Sequence, residues 1–284
     1  MQDLVALIDE KLPSLSKGQR RLASVITDDG EHAAYLTAAA LGALAGVSES
    51  TVVRFAAELG FSGYPHLQRA LQETLRTRLT PNQRIAAMGH RMGDGDLVSA
   101  VMASDIDRIK YTMEHVDRAA FDAAVTALLE AESIYLFGAR SASMLSGFLG
   151  LNLGLVLDNV KVLQPTSATE VFEQLLPIGP RDVLFAISFP RYSQKLVKAV
   201  AYAHDRDARV IALTDAPTSP IAEKAHFLLT AQSDMAAFAD SLVAPLSIIN
   251  AMIAEITRRR SEEIRERFER MERLWDEYDV YAKP

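Results

Sequence analysis

The sequence predicts an all-α N-terminal helix-turn-helix domain, followed by an α/β domain with a doubly wound, five-stranded parallel sheet. Three observations carry this. Up to about position 78, apolar residues recur at helical spacing and are punctuated by glycines and hydroxyl caps. From position 133 onward, five short apolar runs alternate with helical segments, the pattern of parallel strands in a covered sheet. A chain of 284 residues, 49% of them apolar, is long enough for two cores.

In the first segment, Ser16 and Gln19 have capping-box spacing ahead of Leu22, Ala23 and Ile26. Asp29-Gly30 ends that helix. Thr37 caps the next, which presents Leu41 and Leu44 on one side; Gly46 interrupts it and Ser48 caps again. Val52, Phe55, Ala56 and Leu59 continue at helical spacing until Gly60, and Gly63-Tyr64-Pro65 opens a further helix. Residues 79–97 read as a connector, with Thr80-Pro81-Asn82 and Gly93-Asp94-Gly95 as breaks.

Helical patterns at about 98–117 and 119–131 follow, and then the period changes. Residues 133–137, bounded by Gly138, have a buried-strand pattern, as do 161–164, 182–188, 209–214 and 226–230. A short helix is expected over 219–225. The stretch 236–278 is helical, first apolar and then densely charged, with Glu263 and Arg267 one turn apart and Trp275 as a packing anchor. The domain plan is therefore 1–78, a connector at 79–97, and 98–284.

Composition excludes several classes. Without cysteine there are no disulfides, thiolate metal sites or thiol nucleophiles, which fits a reducing compartment. His32, His66, His90, His115, His204 and His226 are scattered with no close pair, so neither a metal nor a cofactor is expected. No secretory signal heads the chain, and its most apolar stretch, 145–157, is too short and polar to span a bilayer. A soluble, cytoplasmic protein without a membrane partner is the expectation. The formal charge of −7 means that any DNA contact must come from a local basic surface.

The segment 41–55 has helix-turn-helix grammar. Leu41 and Gly42 suit a close helix crossing, Gly46 the turn, and Val47, Val52 and Phe55 the wedge between helices. Ser48, Ser50, Thr51 and Arg54 are left for the outward face of the second helix, where hydroxyls and an arginine suit major-groove edges and flanking phosphates. Lys17, Arg20, Arg21 and Arg69 are placed to hold the phosphate backbone of double-stranded operator DNA.

Ligands of open parallel sheets bind beyond the carboxyl ends of the strands. Two such ends carry matching loops: Gly138-Ala139-Arg140-Ser141, and Ser188-Phe189-Pro190-Arg191-Tyr192-Ser193. Each combines hydroxyls, an arginine and a following helix N-terminus, the ingredients of an anion site. Ser167 is a third candidate hydroxyl. The competing reading is that Ser141 and Ser193 merely cap their helices.

The chain resembles the RpiR/MurR family of regulators. The N-terminal resemblance runs through Leu41, Ala45-Gly46-Val47-Ser48, Thr51-Val52-Val53-Arg54-Phe55, Leu59-Gly60-Phe61 and Gly63. From about 130 to 257 the chain resembles the SIS (sugar isomerase) domain, through Gly138, Ser141, Ser188, Ser193, Ile211-Ala212-Leu213-Thr214-Asp215 and Ser219-Pro220-Ile221-Ala222. The resemblance implies a transcription regulator that binds a phosphorylated sugar or sugar acid through Ser141, Ser188 and Ser193. It also implies a homodimer or homotetramer on a palindromic operator. The usual SIS loop reads Ser-x-Ser-Gly-x-Thr; here Pro190 and Arg191 replace its second serine and its glycine. That departure points to a more anionic ligand, with a carboxylate as well as a phosphate. The alternative within the family's fold is a sugar-phosphate isomerase, for which Glu170, Glu173 and His204 would be the bases, but no orienting partner stands near them in sequence. No catalytic residue is therefore assigned.

Overall fold

The computed structural model describes residues 4–76, 96–164, 167–234 and 239–281. The chain divides into two compact units, Met1–Ser104 with Met235–Asp240, and Asp105–Asp234 with Ser241–Pro284. Most of the expected connector, 79–95, lies outside the described residues.

The first unit holds α1 (Leu4–Lys11), α2 (Lys17–Asp28), α3 (Gly30–Ala33), α4 (Ala38–Ala45), α5 (Glu49–Glu58) and α6 (Tyr64–Arg76). The capping box at α2 is present, with Ser16 Oγ accepting from Gln19 N and Gln19 Oε1 accepting from Ser16 N. Thr37 Oγ1 caps α4 through Ala40 N. Leu22, Leu41, Val52, Phe55 and Leu67 are fully buried in the shared core. Tyr64 Oη and Gln68 Nε2 both donate to Leu36 O at 2.7 Å, docking α6, and burial pushes the Tyr64 phenol up to about 12.

One expected core position is wrong. Leu44 is 49% exposed, because α4 buries Leu41, Gly42 and Ala45 instead. The buried face continues from Leu41 to the residue four further on rather than three.

The remaining elements are α7 (Leu97–His115), α8 (Arg118–Glu130), β1 (Ile134–Gly138), α9 (Ala142–Val156), β2 (Val160–Val162), α10 (Ala168–Leu175), β3 (Val183–Ile187), α11 (Gln194–His204), β4 (Arg209–Thr214), β5 (Phe227–Thr230), α12 (Val243–Arg259) and α13 (Ser261–Glu277). The five strands pair in parallel in the order β2-β1-β3-β4-β5. Alternate residues of β1, β3 and β4 feed two separate cores. Ile134, Leu136, Phe185 and Ile211 pack with α8, α9 and α12 on one face. Tyr135, Phe137, Leu184 and Val210 pack with α10 and α11 on the other. Both faces are covered, which is why the strands are apolar throughout rather than alternating.

Three expectations need correction. Residues 219–225 form consecutive turns, Ala222 N to Ser219 O and Ala225 N to Ala222 O, not a helix; Pro220 has no N–H to contribute. The helical tail breaks at Arg260, whose guanidinium donates to Leu129 O at 2.7 Å. Glu263 pairs with Arg260 at 3.3 Å, while Arg267 reaches Asp158 at 3.0 Å. Trp275 packs edge-on against Phe268 and Tyr281 of its own segment.

Candidate functional site

The helix-turn-helix geometry starts from two glycines. Gly46 ends α4 at φ 64°, a left-handed position that a side chain resists. A Cβ on Gly42 would lie 2.9 Å from Val47 O, so the turn backbone crosses α4 too closely for any side chain. The chain thereby enters α5 with Val52 and Phe55 buried and Ser50 and Arg54 exposed.

Ser48 stands at the N-cap position but makes no cap bond. Its hydroxyl lies 2.9 Å from both Ser50 Oγ and Thr51 Oγ1, giving a linked trio of hydroxyls at the helix start. Arg54 Nε donates to Ser50 O at 3.2 Å. Thr51 is half-buried, because the start of α2 packs on it: a Cβ on Gly18 would lie 3.6 Å from Thr51 Cγ2 and 3.3 Å from Val47 Cγ1. Exposed Lys17 adjoins that contact, and a Cβ on Gly46 would meet the Arg21 guanidinium at 3.3 Å. The structure therefore gathers Lys17, Arg21, Ser48, Ser50, Thr51 and Arg54 around one helix end. Arg20 is turned away from this group, donating to Leu15 O and Pro13 O.

The second constellation sits on the sheet. From β1 the chain returns to β2 on one side, and from β3 it continues to β4 on the other, so β1 and β3 flank the topological switch point. Gly138 pairs with Ile187, which sends the loops 139–141 and 188–193 out of the sheet side by side. A Cβ on Gly138 would lie 2.2 Å from Ala142 O, so only glycine lets the first turn of α9 close onto the strand end.

Arg140 and Arg191 are exposed, at φ 58° and 66°. Arg191 therefore occupies the glycine position of the SIS pattern in a glycine-like conformation. Ser141 and Ser193 precede α9 and α11, yet neither hydroxyl caps its helix. The capping alternative thus fails for both. It holds for Ser167, whose hydroxyl accepts from Glu170 N at 3.2 Å in a capping box. Ser188 and Phe189 are buried, and Ser188 N extends the sheet by donating to Leu213 O.

Tyr192 Oη donates to Asp215 Oδ1 at 2.8 Å, and Thr214 Oγ1 donates to the same oxygen at 3.2 Å. Asp215 is not among the residues that the sequence singles out for the site; its place directly beyond the carboxyl end of β4 is the signal that points to it. A cavity of about 190 Å³ lined by Leu128, Glu132, Ile134, Asp158 and Arg260 lies at the amino ends of β1 and β2, the other edge of the sheet.

The histidines are not all apart. His204 at the end of α11 and His226 before β5 lie with ring centroids 5.6 Å apart and planes tilted by 31°, because both flank the start of β4. Val210 N donates to His226 Nδ1 at 3.0 Å, and His226 titrates below its ordinary range through burial, then through His204 and Arg209. Among the described residues, no group of three or more His, Asp or Glu side chains is arranged to hold a metal ion. None of the described helices is long and apolar enough to cross a membrane.

A helix-turn-helix unit followed by a parallel-sheet unit, with two loops bearing arginine and serine at its switch point, defines a class, helix-turn-helix proteins carrying a SIS domain. The family model "helix-turn-helix domain, rpiR family" matches residues 2–78, and that of the SIS domain matches 127–255. The chain belongs to the RpiR family.

It is 28% identical over 282 residues to the HTH-type transcriptional regulator HexR of Escherichia coli K12, covering 95% of this chain and 93% of that protein. HexR of Pseudomonas aeruginosa is 25% identical over 269 residues, 92% of this chain and 91% of its own. The sugar isomerase domain of an RpiR transcription factor from Sphaerobacter thermophilus superposes with a TM-score of 0.60 at 27% identity, over 63% of this chain and 99% of that one. Vibrio vulnificus NanR, solved in complex with ManNAc-6P, has the same fold at 21% identity and a TM-score of 0.60, over 99% of this chain and all of that one.

Proposed function

We propose that this chain is a DNA-binding transcription regulator whose operator affinity is set by a phosphorylated sugar or sugar acid, bound between the loops that leave β1 and β3. The carrying observation is the pairing of Gly138 with Ile187, which sets Arg140-Ser141 beside Arg191-Ser193 with two serine hydroxyls that do not cap their helices. Two arginines and two helix starts suit a dianionic phosphate. NanR, bound to a sugar phosphate on the same fold, supports the ligand class. The regulators named HexR support the role. We read Arg191 as favouring a ligand with a carboxylate in addition to phosphate.

The DNA contact is assigned to Ser48, Ser50, Thr51 and Arg54 at the groove, with Lys17 and Arg21 on phosphates. The working form is a homodimer or homotetramer, since an operator of two half-sites needs paired recognition helices. Residues 1–78 form the reading domain, 79–97 the connector and 98–284 the sensor.

The route from ligand to DNA runs through α7. Thr112 Oγ1 accepts from Gln232 N at 2.9 Å, and Asp105 Oδ1 accepts from Ser241 Oγ at 2.7 Å and Arg108 Nη1 at 2.9 Å. These bonds fasten α7 to the segment that follows the carboxyl end of β5. By linkage, the ligand changes operator affinity by the same factor as operator changes ligand affinity.

Two of the three bases named for the isomerase alternative are poorly placed for it. Glu170 is committed to the Ser167 capping box, and His204 pairs with His226 beside the start of β4, away from the switch-point loops.

Thermal melting against a panel of sugar phosphates and phosphorylated sugar acids tests the proposal. A ligand at a hundred times its dissociation constant adds about 2.7 kcal/mol of stability. The active compound should also change affinity for DNA selected from a random pool. Arg191→Ala should lose the ligand response and keep DNA binding. A panel that leaves the melting midpoint unmoved overturns the ligand assignment.

A further inference from the structure

We infer that Tyr192 and Asp215 form a latch that holds the Arg191 loop in its binding conformation, so that Tyr192 is a positioning residue. This rests on the ligand reading above and deepens it.

The segment 188–193 bridges from β3 to α11 and is tied to the end of β4 at two points. At its start, Ser188 N donates to Leu213 O at 3.1 Å. Near its end, Tyr192 Oη donates to Asp215 Oδ1 at 2.8 Å. Between the ties, Phe189 and Pro190 are buried and Arg191 is exposed at φ 66°.

An arginine does not hold a left-handed conformation by intrinsic preference, so the surroundings must impose it. The side-chain bond that ties this bridge to β4 belongs to the residue directly after Arg191, and its acceptor is a carboxylate, which makes the tie a strong one. Thr214, itself fully buried, donates to the same carboxylate oxygen and fixes the rotamer of Asp215. The tyrosine hydroxyl is therefore turned toward β4. What it supplies to binding is the geometry of Arg191 and of the Ser193 hydroxyl beside it.

The test compares wild type with Tyr192→Phe, which keeps the ring and removes only the donor, and with Asp215→Asn, which keeps an acceptor oxygen. Backbone amide exchange is measured at 191–193 and at 184–187 of β3. Calorimetric titration uses inorganic phosphate and 6-phosphogluconate as probes. Tyr192→Phe should speed exchange at 191–193 alone and weaken 6-phosphogluconate binding roughly tenfold or more. Asp215→Asn, which keeps an acceptor for the tyrosine hydroxyl, should leave exchange at 191–193 at the wild-type rate.

Unchanged exchange at 191–193 in Tyr192→Phe overturns the latch. So does faster exchange with undiminished affinity in a protein whose affinity Arg191→Ala abolishes. Faster exchange across β3 as well, with a matching fall in melting temperature, marks ordinary loss of packing and also overturns it. Wild-type protein that binds neither probe counts against the ligand reading; the exchange comparison then decides the latch by itself.

Discussion

Arg140 and Arg191 share a left-handed backbone, φ 58° and 66°, in the two loops that leave neighbouring strands at the switch point. The other described non-glycine residues with positive φ are Asn159, Asp207 and Asp279, types whose short polar side chains tolerate that region. The arginines have no such excuse. Each costs about 1–2 kcal/mol of backbone energy relative to a relaxed position, which is a sign that the side chain is wanted there.

Replacing Arg191 by glycine and by alanine separates the backbone from the guanidinium. Both variants lose the charge, but only glycine is at ease at φ 66°. Arg191→Gly should be more stable than Arg191→Ala by about 1 kcal/mol in urea unfolding, while both should lose equally whatever response to a phosphorylated sugar acid the wild type shows. Equal stabilities would mean that the loop relaxes once the arginine is gone.

On the DNA side, Arg54 and Lys17 should behave differently although both are exposed cations beside the start of α5. Arg54→Ala should cost about 1–3 kcal/mol on selected DNA and relax base preference at one position. Lys17→Ala should weaken all sequences alike and reduce the salt slope by about 1. Anisotropy titrations at several salt concentrations distinguish them. Identical slopes and preferences in the two variants would remove Arg54 from the groove.

What the sequence disclosed follows the range of the forces involved. The turn at Gly46, the caps at Ser16 and Thr37 and the five apolar runs obey rules acting within a few residues, and the structure contains all of them. Tyr192 and Asp215 are 23 positions apart and meet because β3 and β4 are neighbours in the sheet. Arg267 and Asp158 are 109 apart, so the i,i+4 rule, which favours Glu263, missed the tertiary partner. His204 and His226 stand scattered in the sequence, with nothing local to report that both border β4. Ser48 shows the limit of even a short-range rule, since its hydroxyl found two side-chain hydroxyls in place of the expected amide.

Two glycine substitutions should move stability in opposite directions. At Gly42 a Cβ would meet the backbone oxygen of Val47 at 2.9 Å, and backbone cannot step aside as a side-chain tip can. Gly42→Ala should destabilise the first unit by about 1–3 kcal/mol and disturb the entry to α5, lowering DNA affinity as well. Gly147 is inside α9 with nothing within 4 Å of the position a Cβ would take. Gly147→Ala should stabilise the second unit by up to about 1 kcal/mol. Calorimetric scans that resolve the two units decide both; a neutral Gly42→Ala would refute the tight crossing.

Acid should weaken the second unit through His226. Val210 N–H donates to His226 Nδ1 at 3.0 Å, so that nitrogen carries no proton in the fold, and protonation breaks the contact. Burial, then the neighbouring His204 and Arg209, hold its pKa below the ordinary 6.5. The unfolded chain therefore takes up the proton first. Above about pH 6.5 the contribution is fully present; it declines as pH falls through that value toward the lower folded pKa and then levels off. Glu255, held down to about 2 by Arg258 and Arg259, acts in a separate window, losing its contribution only as pH falls from 4.5 toward 2. Urea midpoints between pH 7.5 and about 5 should thus decline in wild type. They should decline less in His226→Asn, which cannot titrate. The same slope in both proteins would place the acid sensitivity elsewhere.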